Sequence, residues 1–210
     1  MFSDTPGNDH VDSREAGTIL TAAGGFISSV AGFQSITVNA TGGFDIVVLI
    51  DTPANDVLTG TFGVTTMTGG GLFRQFHGFD RIAVAAVRGG IDTAHLFDTA
   101  GNDIAENVPA SRTMNLASTV TGVYLQVLQF EFVNLNFTNG GTNDRVILRD
   151  TPFNDQFLGN GATGQLTTPT EVIHTTGQHV VTLIATTGLN TLSRNALTYT
   201  LATAGPWTVV

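Results

Sequence analysis

The sequence predicts an all-β chain wound into a parallel β-helix, a β-solenoid of stacked coils. Three observations lead there. A corner phrase returns as DTPGND from Asp4, DTPAND from Asp51, DTAGND from Asp98 and DTPFND from Asp150, at spacings of 47, 47 and 52 residues. Periods of that size mark solenoids, propellers or arrays. Apolar residues alternate, or form short runs bounded by Gly, Pro, Asn or Asp, and no helical period emerges. Charged residues are only 12% of the chain and Gly numbers 25, a composition that suits strands joined by tight turns.

The repeat divides a single domain, residues 1–210, into units 4–50, 51–97, 98–149 and 150–201, with a degenerate cap at 202–210 where Trp207 stands. Each unit opens on the corner. Pro6, Pro53 and Pro152 fix φ for a turn, and Asp4, Asp51 and Asp150, two places earlier, are expected to accept a hydrogen bond from a turn amide. Asn8, Asn55, Asn102 and Asn154 recur at the same corner as structural side chains. A second phrase pairs Ile36 with Val38, Ile82 with Val84, Val133 with Leu135 and Val181 with Leu183. A spacing of two puts each pair on one face of a strand. A third phrase follows Gly-Gly, as in FDIVVLIDT from Phe44 and IDTAHLFDT from Ile91, and runs into the next corner; the fourth unit reads RNALTYTLAT there, without the acid.

Half of 47 is close to one coil of a parallel β-helix, so the expectation is about two coils per repeat. That gives roughly eight or nine coils, ~4.8 Å apart, in a rod of about 40 Å. The four corners should then lie along one edge, with a coil of the other type between successive Asn residues. A small β-propeller and a β-sandwich are the alternatives. A propeller joins the strands of a blade by hairpin turns, and Asn-Gly or Asp-Gly signals for these are scarce, Asn139-Gly140 being the clearest.

The stretch GFDRIAVAAVRGGIDTAHLFDTAGND, Gly78 to Asp103, resembles a repeat of very long bacterial surface and exported proteins, of the form G-F-D-x-V-x-A-x-A-x-x-G-G-x-D-x-A-x-L-x-D-S-x-G-N-D. The resemblance extends over Gly32 to Asp56 and, more weakly, Gln129 to Asp155. It implies a β-solenoid and a surface, adhesive or scaffold role rather than an enzyme. Gly42-Gly43-Phe44-Asp45 and Gly89-Gly90-Ile91-Asp92 are loosely similar to calcium-binding nonapeptide repeats, without the inner Gly or the nine-residue period.

Net charge is −9, and all eight basic residues are Arg. A chain without a basic stripe is not expected to bind nucleic acid or an anionic membrane. No run approaches the ~18 apolar residues of a membrane span. There is no Cys, which removes disulfides and thiolate chemistry. MFSDTPGND carries neither a basic nor an apolar leader segment and enters in full repeat phase. Stacking on another subunit, or on neighbouring repeats of a longer chain, is therefore expected.

The candidate metal ligands are Asp51 and Asp56, Asp98 and Asp103, and Asp150 and Asp155. Paired carboxylates with turn carbonyls suit Ca²⁺, the candidate cofactor. The competing reading has the first Asp of each pair capping its turn and the second facing solvent. His10, His77, His95, His174 and His179 form no zinc spacing, and no nucleophile or phosphate-loop motif is present. The expected function is non-catalytic: a scaffold, adhesin stalk or self-associating filament subunit of a bacterial surface or extracellular assembly. A Ca²⁺-stabilised binder of glycan or protein and a polysaccharide-active β-helix enzyme are the alternatives.

Overall fold

A computed structural model describes residues 1–210. The chain is nearly all β and forms a β-solenoid, as the repeat predicts. It passes alternately through two sheets, one of 12 strands and one of 11. β1 (Phe2–Ser3) lies at one end of the first sheet. The first unit then supplies β2 (His10–Arg14), β3 (Gly17–Thr21) and β4 (Ile27–Val30) to the second sheet, β5 (Ser35–Asn39) to the first and β6 (Ile46–Ile50) to the second.

The second unit repeats this on exchanged sheets. β7 (Val57–Gly60), β8 (Val64–Gly69) and β9 (Leu72–His77) join the first sheet, β10 (Arg81–Ala85) the second and β11 (Thr93–Phe97) the first. In the third unit β12 (Asp103–Val108), β13 (Thr113–Ser118), β14 (Tyr124–Leu128) and β16 (Arg145–Arg149) lie in the second sheet and β15 (Phe132–Asn136) in the first. In the fourth, β17 (Gln156–Asn160), β18 (Thr163–Thr167), β19 (Val172–Thr176) and β21 (Asn190–Asn195) lie in the first and β20 (Val180–Ile184) in the second. β22 (Thr200–Ala204) and β23 (Trp207–Val209) add one pass to each sheet, so the residues read as a cap carry the end of β22 and all of β23.

Each unit therefore opens with a three-stranded antiparallel meander and closes with two single passes. A unit makes three passes, one and a half circuits rather than two. The odd half-circuit throws the next unit onto the opposite sheet. The four corners consequently alternate between two edges and do not share one. The meanders also explain the circuit length. Cα partners in successive circuits are 36 residues apart from His10 to Ile46 and 43 from Arg81 to Tyr124, but only 20 from Val180 to Thr200, where no meander intervenes. Twelve strands at ~4.8 Å extend about 53 Å, longer than the expected rod because the meander strands stack too.

The second phrase does what its spacing of two requires. Ile36, Val38, Ile82, Val84, Val133, Leu135, Val181 and Leu183 are all buried between the sheets. Parallel register turns them into columns: Ile82 pairs with Val47 on one side and Leu125 on the other, and Val84 with Leu49 and Val127. A cluster of 33 buried residues runs through the molecule as one core.

Candidate functional site: the carboxylate corners

Each corner is built from the phrase Thr-x-x-Asn-Asp. The second Asp turns back onto the Thr four residues earlier. Thr5, Thr52, Thr99 and Thr151 donate their backbone N–H to Asp9, Asp56, Asp103 and Asp155 at 2.9, 2.9, 2.9 and 2.6 Å, and their hydroxyls donate as well. The proline next in line at positions 6, 53 and 152 has no N–H to satisfy, which suits so tight a turn. Asp56 and Asp103 have no exposed surface. The expected roles are thus exchanged: the second Asp caps the turn and is buried, rather than facing solvent.

The first Asp reaches into the following circuit. Asp4 accepts the Thr41 N–H at 2.7 Å, Asp51 the Arg88 N–H at 2.8 Å, Asp98 the Asn139 N–H at 3.0 Å and Asp150 the Thr186 N–H at 2.8 Å. None of these acceptors caps its own Thr-Pro turn. The Asn residues act likewise. Asn8, Asn55, Asn102 and Asn154 take the N–H of Phe44, Ile91, Thr142 and Leu189 at 2.8, 2.9, 2.9 and 2.9 Å. They bind the next circuit's backbone, so no Asn-to-Asn ladder is needed.

A third residue completes each corner, and the pairs named from the sequence omit it. Asp45, Asp92 and Asp144 immediately precede β6, β11 and β16, and their carboxylates accept the N–H of Asp9, Asp56 and Asp103 at 2.8, 2.7 and 2.9 Å. The result is three acidic triads, Asp4–Asp9–Asp45, Asp51–Asp56–Asp92 and Asp98–Asp103–Asp144, whose ligand atoms lie within 4.8 Å of one another. In the fourth unit Asn190 stands in the third place, accepting the Asp155 N–H at 2.9 Å and donating to Asp150 at 3.0 Å. The signal was in the sequence: Gly43-Phe44-Asp45 and Gly90-Ile91-Asp92 match Gly188-Leu189-Asn190, not the later RNALTYTLAT.

The hydrogen-bond line continues past the triads. Asp45 donates its N–H to Asp80, Asp92 to Glu131 and Asp144 to Nδ1 of His179, at 2.8, 2.9 and 3.2 Å. Units one and three run along the strand ends of the second sheet, units two and four along those of the first. Crowding of acids in a poorly solvated corner disfavours the charged form. Burial pushes Asp45 and Asp92 up to about 6 and raises Asp56, Asp98, Asp144 and Asp155, while their backbone N–H bonds work against the shift.

Chemically these corners offer oxygen acceptors aimed at amides and at one another. They lie apart from the largest surface hollow, about 380 Å³, which is formed on β2–β4 by Asp12, Arg14, Gly17, Ile19, Ser29 and Val30. There Asp12 and Arg14 pair with each other at 2.8 Å. No protein-family model, curated protein or solved structure matches the chain.

Proposed function

We propose that this chain is a non-catalytic structural module of a bacterial surface or extracellular assembly, a rigid spacer that stacks end to end with a second copy or with neighbouring repeats of a longer chain. The observation that carries the reading is the use made of the repeated acids. In all four units the two corner carboxylates and the Asn accept backbone amides, most of them from the following circuit, so the residues a catalyst would deploy are engaged in holding coils together.

The ends support the stacking half of the proposal. β1 and β4 are the outermost strands at one end, β22 and β23 at the other, and each keeps one unpaired ladder side. Such edges template the addition of another strand. Phe26, Ile27 and Phe33 are exposed at the first end and Val209 and Val210 at the second. Unlike ends joining head to tail give an open filament rather than a closed dimer. Electron microscopy with light scattering across a concentration series tests the proposal. Rods about 53 Å long that lengthen with concentration are expected from the strand count and spacing. Isotropic particles, or cleavage of an acidic polysaccharide by the purified chain, would overturn it.

A further inference from the structure

The four corners share one plan, yet they deal differently with the charge they concentrate. In unit two Arg74, on β9 and 1% exposed, brings Nη2 to 4.0 Å from Oδ1 of Asp56. In unit four the amide of Asn190 replaces one carboxylate and donates to Asp150, and Thr151 Oγ1 donates to Oδ1 of Asp155 at 3.0 Å. In unit one Ala23 N–H donates to Oδ1 of Asp9 at 2.8 Å, and only Asp4, a partly exposed residue, keeps one buried oxygen, Oδ2, without a donor.

Unit three has none of these. Asp98, Asp103 and Asp144 are 4%, 0% and 0% exposed. Oδ1 of Asp103 and Oδ2 of Asp144 are buried and receive no hydrogen bond. His179 Nδ1 lies 3.2 Å from that Asp144 oxygen, but it accepts the Asp144 N–H and in that form has no proton there to give the carboxylate. Two buried carboxylate oxygens without a donor carry a desolvation penalty that no hydrogen bond of their own offsets.

A backbone carbonyl oxygen lies close beside them. Gly141, at φ +80°, lets the backbone approach closely: a Cβ there would lie only 2.6 Å from both Asp144 oxygens and from the Gly101 carbonyl oxygen. This loop is one residue longer than its unit-two counterpart, running Gly141-Thr142-Asn143-Asp144 where unit two has Gly90-Ile91-Asp92. Three carboxylate oxygens within 4.8 Å of one another share a centre. That centre lies within about 2.8 Å of each, close to the 2.3–2.6 Å of Ca²⁺–oxygen bonds. An all-oxygen set selects a hard cation over zinc or copper.

We propose that the Asp98–Asp103–Asp144 corner binds one hard divalent cation of the Ca²⁺ class. The ion ties the turn between β11 and β12 to the residue that opens β16, one circuit further on. It supplies from solution the positive partner that Arg74 provides in unit two. In unit four, where the sequence suggested Asp150 and Asp155, Asn190 takes the place of the third carboxylate.

The test is calorimetric titration of CaCl₂ into the chelator-treated full chain at pH 7.5, with thermal melts alongside. One ion per chain and a midpoint several degrees higher in millimolar Ca²⁺ are expected. Asp144→Asn copies the arrangement that unit four already has. It should fold, with an unchanged circular dichroism spectrum, and bind Ca²⁺ at least tenfold more weakly. Asp45→Asn, in unit one, should keep full binding. No heat and no midpoint shift in the parent chain would overturn the site, as would binding that survives Asp144→Asn or is lost with Asp45→Asn. A parent chain stabilised by acid but not by Ca²⁺ would show a shared proton in the ion's place. The spacer role is read from particle shape and stands or falls separately.

Discussion

At the scale of single residues, position in the corner decides what each polar group contributes. Asp155 is 2% exposed and satisfies both the N–H and the hydroxyl of Thr151. Asp155→Ala strands two donors in a site with little water, each worth ~1–3 kcal/mol when unmade. A loss of about 2–4 kcal/mol in unfolding free energy is expected from urea titration. Asn154 next to it makes one exposed bond to the Leu189 N–H, so Asn154→Ala should cost about 1 kcal/mol or less. Equal losses would mean that the turn cap is not the stronger element. Glu171, just before β19, gives the corner edge a pH dependence. Burial raises it from 4.5 to about 7; the Arg112 guanidinium opposes the shift and the Asp155 carboxylate adds to it. The folded chain therefore holds a proton between pH 4.5 and about 7 that the unfolded chain releases. Stability should rise as pH falls from 8 to 5.5, and Glu171→Gln should flatten part of that slope in denaturant titrations at the two pH values. A parent chain that loses stability over this interval would contradict the assignment.

At the scale of elements, the strands were more legible than their order. Alternation marked the inward Val, Ile and Leu of the second phrase correctly, because a period of two is fixed by the pleat whatever the strand pairs with. Pairing partners were not legible in the same way. β7, β8 and β9 turn at short Gly-containing links such as Gly70-Gly71, and these read equally as coil corners or hairpin turns. The third member of each triad escaped for a related reason. Asp45, Asp92 and Asp144 lie 36 to 41 residues from the Asp they meet, and only the circuit length, unknown beforehand, brings them together. The Gly-Gly that precedes Asp92 carries a sharp expectation of its own. Gly89 and Gly90 both have positive φ, +96° and +103°, but a Cβ on Gly89 would meet nothing within 4 Å, whereas one on Gly90 would lie 2.2 Å from the Ala54 carbonyl oxygen. Gly89→Ala should cost only the backbone strain, about 1 kcal/mol, and Gly90→Ala about 2–4 kcal/mol, because backbone of the preceding circuit must also move. Denaturant midpoints of the two variants measure the difference.

At the scale of the whole molecule, the exchange of sheets between units has a mechanical consequence. A solenoid with meanders on one face only would carry three strands per unit there and far fewer opposite, and the two sheets would outrun each other along the axis. Alternating the meanders keeps the sheets at 12 and 11 strands, so inward columns on both faces stay opposed and one core of 33 residues can run between them. Each pass still touches only its neighbours in the stack, which makes stability close to a sum of local terms. The ends are then the weakest places. β22 and β23 each pair on one side only, with β20 and β21, as β4 does with β3 at the other end. β10 and β15 are paired on both sides in the middle of their sheets. Hydrogen exchange followed by mass spectrometry should therefore show amides of β4, β22 and β23 exchanging orders of magnitude faster than those of β10 and β15, through local opening rather than global unfolding. If the chain stacks head to tail, protection of exactly those terminal strands should increase with protein concentration while the middle stays constant. Uniform exchange at every strand, unaffected by concentration, would describe a single cooperative block with inert ends and would remove the end-to-end stacking from the proposed role.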